Sequence, residues 1–69
     1  MTAYLTDTQR RIARALRELT DDVGYPPSIR EIADAVALSA STVAYHLQAL
    51  EHHGIVTHTP HHSRSYRVR

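Results

Sequence analysis

The chain predicts an α+β, mainly helical fold: three helices followed by a two-stranded β-hairpin. Three observations carry that expectation. Apolar residues recur at helical spacing in three separate blocks between Thr6 and Gly54, each opened by a Ser or Thr. From Ile55 the period shortens to the alternation of strands. With 69 residues and no cysteine there is room for one domain, residues 1–69, with one small core and no disulfide or thiolate metal site to reinforce it.

The first helix is expected over residues 6–23. Thr6 and Gln9 have the spacing of a capping box, and Gly24 stands where a left-handed cap belongs. Ile12, Leu16, Leu19 and Val23 form one apolar stripe, with Arg10, Arg14 and Arg17 lying off it. Tyr25-Pro26-Pro27 then forces an extended link. Ser28 and Glu31 make a second capping box, opening a short helix that turns Ile29, Ile32, Ala33 and Val36 inward. Ser39 is the expected N-cap of the third helix, with Leu38 and Val43 as a hydrophobic staple. Val43, Leu47 and Leu50 are its buried stripe, and Gly54 stops it. Strands are expected at residues 55–59 and 65–69. The tip from Pro60 to Arg64 lacks Gly and Asn, which suits a longish mobile loop better than a tight turn. Such a hairpin needs the helices to lean on.

Two short helices joined by about four residues suit a helix-turn-helix. Steep packing needs a small residue at the contact (Ala33), a compact turn beginning at Ala37, and an apolar anchor, Val43. The turn position favours Gly, so alanine there costs about 1 kcal/mol if its φ is positive. At about 100° per residue, Ser41, Tyr45, Gln48 and His52 lie opposite the buried stripe of the third helix, with Thr42 and Ala49 on one flank. That stripe carries hydroxyls, an amide and aromatic rings but no carboxylate. Such a surface can enter a phosphate-lined groove without repulsion and bond to base edges, Gln to adenine being the best-fitting pair. Free N–H groups at the helix start, around Ser39 and Ala40, suit a phosphate.

Net charge is only +1, yet it is unevenly spread. After Asp34 come Arg64, Arg67 and Arg69 with all six histidines, against Glu51 alone. His58, His61, His62, Ser63, Arg64 and Arg67 on the hairpin are expected to meet phosphates, the histidines more strongly on protonation. At the start of the second helix, Ser28 and Arg30 are further candidates. Arg67 shares parity with Arg69, opposite Tyr66 and Val68, which are expected to face inward. His46 flanks the buried stripe and is expected to be half-packed. Adjacent histidines rarely converge on one metal, and no cofactor or metal is expected. No nucleophile–base–orienter set or Gly-rich phosphate loop points to an enzyme. No apolar run reaches the roughly 18 residues of a membrane helix, and no signal peptide precedes the first helix, so a cytoplasmic location is expected.

The string LTDTQRRIARALRELTDDVGYPPSIREIADAV resembles the N-terminal DNA-binding domain of LexA-type SOS repressors. The shared parts are Leu5-Thr6 with Gln9, then Gly24-Tyr25-Pro26-Pro27-Ser28-Ile29-Arg30-Glu31-Ile32, with Leu47, Leu50-Glu51 and Gly54 continuing the pattern. The resemblance implies a winged helix with the third helix in the major groove and the hairpin wing on the backbone or minor groove. Departures limit what carries over. The segment between Val36 and Leu47 is one residue shorter than in those repressors, so their operator is not transferred. Their self-cleaving protease domain, through which they mainly dimerise, has no counterpart here, and a chain without lysine cannot supply its Ser-Lys dyad.

The expected function is therefore a bacterial transcriptional regulator, a repressor, that binds double-stranded DNA sequence-specifically. The rival is a winged helix used as a protein-interaction module, as a replication accessory or an antagonist of another repressor. Only Arg69 follows the wing, so no appended helix offers a dimer seam. A monomer is expected in solution, pairing on an inverted-repeat operator. Any contact between free copies is expected at the first helix, around Tyr4, Leu5 and the exposed arginines.

Overall fold

The structure is a computed structural model, and it describes residues 5–69; Tyr4 lies outside the described residues. Three helices, α1 (Asp7–Val23), α2 (Ile29–Val36) and α3 (Ala40–His52), are followed by an antiparallel hairpin of β1 (Val56–Thr57) and β2 (Arg67–Val68). All three helix starts are capped by the residues that the sequence singles out. Thr6 and Gln9 exchange hydrogen bonds of 3.0 and 3.2 Å. Ser28 and Glu31 do the same at 3.1 and 2.8 Å. Ser39 accepts from the Thr42 N–H.

One apolar cluster holds the domain together. Ile12 and Leu16 of α1, Ile32, Ala33 and Val36 of α2, Val43, Leu47 and Leu50 of α3, and Val56 of β1 are buried in it. Leu38 packs against this cluster from the turn. Three positions of the expected apolar stripes are not fully buried. Leu19 is only half-buried and Val23 is 53% exposed. The cause is length: α1 has 17 residues against 8 in α2 and 13 in α3, so its last turn overhangs its partners. Ile29, at the edge of α2, is likewise only half-buried.

The turn between α2 and α3 comprises three residues, Ala37 to Ser39. Ala37 has φ 60° and ψ 43°, the left-handed conformation, and both its N–H and that of Leu38 bond to the Ala33 carbonyl. This closing geometry reverses the chain in few residues and suits glycine best. The carbonyl of Val36, left without a helical partner, accepts from the Arg11 guanidinium at 2.9 Å. A cation at a helix C-terminus is also favoured by the helix dipole.

The hairpin is shorter in its ladder than the alternation suggests. Val56 pairs with Val68 and Thr57 with Arg67, and the Arg69 N–H donates to the Ile55 carbonyl. Inward and outward parity is as expected, with Tyr66 and Val68 half-buried and Arg67 exposed. Beyond Thr57 the ladder is replaced by one buried side chain. The Ser65 hydroxyl accepts from the Thr59 N–H at 3.1 Å, and its proton is directed at the carbonyls of His62 (2.8 Å) and Thr59 (3.1 Å). The His62 N–H closes on the Thr59 carbonyl with His61 at φ 66°. Where the tip lacks Gly and Asn, a serine supplies the closing hydrogen bonds that a turn residue would.

Candidate nucleic-acid interface

The exposed face of α3 begins at its cap. Ser39 is committed internally, accepting from the Thr42 N–H at 3.2 Å and donating to the Thr42 hydroxyl at 2.8 Å, with the Ser41 hydroxyl 3.3 Å away. Ser41 is exposed and Thr42 half-buried, and the N–H groups of Ala40 and Ser41 have no acceptor among the described residues. Further along, Tyr45 is 69% exposed, and Gln48 and His52 are also exposed. No carboxylate from α3 interrupts this stripe; Glu51 lies off it and is half-buried.

Tyr45 is supported from beneath. Its ring meets His46 edge-on with centroids 5.3 Å apart. His46 is half-buried, and its Nδ1 lies 3.4 Å from the Gln9 amide nitrogen. The Gln9 oxygen is already taken by the Thr6 N–H. The amide nitrogen therefore donates, and Nδ1 is the acceptor. A path of contacts runs from the cap of α1 through Gln9 and His46 to the base of Tyr45. Sequence reasoning found Gln9 as a capping residue and missed this second role, because only the fold brings residues 9 and 46 together.

The wing candidates fall into two groups. His61, His62, Ser63 and Arg67 are exposed. His58 and Arg64 form the second group: both are bonded to partners within the chain. The His58 Nδ1 lies 2.7 Å from a Glu51 carboxylate oxygen, and its ring stacks on Tyr66 with centroids 4.5 Å apart. This pins the root of the wing to the last turn of α3. Arg64 grips Glu31 with two nitrogens at 2.7 and 3.3 Å and lies 5.6 Å from the centre of the Tyr25 ring. Arg64 holds the Glu31 carboxyl below its ordinary range, helped by the Ser28 N–H, and the carboxylate in turn raises the Arg64 pKa. Burial, with Glu51 adding to it, raises the Tyr66 phenol.

The wing tip is thus brought to the start of α2. Pro27 and Ile29 there line a cavity of about 140 Å³ with His62, Ser63 and Tyr66 of the wing. Ser28 is half-buried in its capping box, whereas Arg30 is exposed and forms no ion pair with the described residues. The cap of α3 lies at the other end of α2. Eight helical residues span about 12 Å, so the wing tip and the start of α3 mark two separate points of a surface. Among the described residues, no group of three or more His, Asp or Glu side chains is placed to hold a metal ion, and no helix is long and apolar enough to cross a membrane.

Three helices with a three-residue α2–α3 turn and a hairpin pinned to both of those helices define the chain as a winged-helix domain of the DNA-binding class. The family model for the LexA DNA binding domain matches residues 2–65, and the chain belongs to that family. It is similar to the LexA repressor of Streptomyces coelicolor, 50% identical over 66 residues that make up 94% of this chain and 28% of the repressor. The LexA repressor of Mycobacteroides abscessus is 46% identical over 69 residues, covering 99% of this chain and 31% of the repressor. That of Mycobacterium leprae is 47% identical over 70 residues, 100% of this chain and 30% of the repressor. The chain thus spans less than a third of the length of these relatives.

Proposed function

We propose that this domain is a bacterial, cytoplasmic repressor module that binds duplex DNA, with α3 in the major groove and the wing against the neighbouring backbone or minor groove. The observation that carries the reading is the carboxylate-free exposed face of α3, with Ser41, Tyr45 and Gln48 in line and the Thr42 hydroxyl at its edge. Tyr45 and Gln48 supply shape and an amide for base edges, Gln best matching adenine. The free N–H groups of Ala40 and Ser41 suit a phosphate at the groove lip. Arg30 and Arg67, both exposed, are the phosphate contacts, with His61, His62 and Ser63 reaching from the wing tip. Arg64 acts differently: bonded to Glu31, it sets the position of the wing.

A single winged helix makes few phosphate contacts, so binding by one copy is weak and salt-sensitive. Two copies on an inverted repeat raise specificity, and the chain pairs on DNA while staying monomeric at micromolar concentration. The domain carries no catalysis. The test is a salt series on a random-sequence duplex. Arg67→Ala lowers the slope of log K against log salt by about one unit. Arg64→Ala weakens binding with the slope unchanged. A lowered slope for Arg64→Ala and none for Arg67→Ala would reverse the two roles.

A further inference from the structure

The outward face of α1 has no role in that reading, and its charges run against the helix that carries them. Arg10, Arg14 and Arg17 occupy the first two-thirds of α1, and Glu18, Asp21 and Asp22 the last third; all six are exposed. The C-terminal end of a helix disfavours carboxylates, yet the last turn of α1 has two and no basic residue. No ion pair among the described residues offsets this. Among the described residues the ion pairs are His58–Glu51 and Arg64–Glu31, and none involves α1. Beside the acidic end, Val23 stands 53% exposed although it belongs to the apolar phase of the helix.

Each charged half borders an open groove with an apolar floor. Glu18, Asp21 and Asp22 rim a groove of about 540 Å³ floored by Ala15, Leu19 and Ala35. Arg10, Arg14 and Arg17 rim another, of about 300 Å³, floored by Ala13, Ile55 and Val68. We infer that the occupant is a second copy of this chain, lying antiparallel along α1 so that the arginine half of each copy meets the acidic half of the other. A two-fold contact satisfies both halves at once and closes on itself. Duplex DNA is the weaker candidate, because a phosphate backbone laid along α1 would meet three carboxylates as well as three arginines. Exposed ion pairs are individually weak and screened by salt, so the contact forms at high protein concentration or when DNA holds two copies close.

Sedimentation equilibrium of the whole chain tests this, with far-UV circular dichroism confirming that each variant folds. The wild type self-associates at about 1 mM protein and ~50 mM salt, and is monomeric at ~500 mM salt, where the Debye length is a few ångström. Arg14→Glu with Arg17→Glu abolishes the association, and so does Asp21→Arg with Asp22→Arg. An equimolar mixture of these two double variants recovers a dimer, because each altered half again meets its opposite. Absence of wild-type association at low salt, or association that both double variants retain, or no recovery in the mixture, overturns the inference. A random-sequence duplex long enough for one copy provides the remaining arm. The second copy is the occupant if Arg14→Glu with Arg17→Glu lowers affinity less than Arg67→Ala. A larger loss makes phosphate the occupant of the arginine half and overturns the proposal.

Discussion

Ala37 and Gly24 perform the same local task with different residues. Both end a helix in the left-handed conformation, Gly24 at φ 87° and Ala37 at φ 60°. A Cβ in that region meets the following carbonyl, a cost that glycine avoids. Ala37 is exposed, so replacing it removes no core contact. Ala37→Gly is therefore expected to stabilise the domain by about 0.5–1 kcal/mol, the relief of strain outweighing the added freedom of the unfolded chain. A thermal melt checks this: the midpoint rises by several degrees, on the order of 4–8 °C per kcal/mol for so small a domain. The sequence exposed this position because the helix-turn-helix spacing demands a tight reversal at a residue that is not glycine. It did not expose Arg11, whose bond to the Val36 carbonyl joins residues 25 apart. Nor could it show that His58 and Arg64 are occupied. A basic side chain on a wing has the same local signature whether its partner is phosphate or a carboxylate across the fold.

The wing is held by polar contacts as well as by Val56, Tyr66 and Val68 packed in and against the core. Its ladder is two residue pairs long, so the His58–Glu51 and Arg64–Glu31 bonds and the Ser65 hydroxyl hold what strand pairing does not. Glu31 serves twice, capping α2 through Ser28 and gripping Arg64. Its carboxyl pKa is lowered in the fold, chiefly by the Arg64 bond. A depressed carboxyl contributes stability above its unfolded pKa and loses it as pH falls through the folded value. The Arg64–Glu31 contact is therefore expected to persist at neutral pH and to open only below the ordinary carboxylate range. Glu31→Gln isolates this contribution, since Gln also completes a capping box. The variant is expected to keep its helix content, bind DNA more weakly at neutral pH, and leave the salt slope unchanged. Far-UV circular dichroism with a salt titration reads all three outcomes. The helices were legible in outline because caps and apolar spacing are local signals. The strands were overestimated because alternation from Ile55 to Thr59 continues past the point where His58 turns to Glu51.

At the scale of the whole molecule, one apolar cluster links α1, α2, α3 and β1, so the two ends of the proposed DNA surface are carried on a single core. Pairing on an inverted repeat then depends on the geometry of the DNA. Half-sites one helical turn apart present both copies to the same face, and adding about five base pairs turns one copy to the opposite side. Cooperativity in a two-site binding isotherm is expected with the first spacing and absent with the second. The central claim is that α3 reads sequence, and selection of bound duplexes from a random pool tests it most directly. The wild type is expected to enrich a defined half-site. Gln48→Ala and Tyr45→Ala should each lose about 1–3 kcal/mol on that site and relax the preference at one or two base pairs. Enrichment of the same site by both variants, at unchanged affinity, would contradict the account and move recognition away from α3.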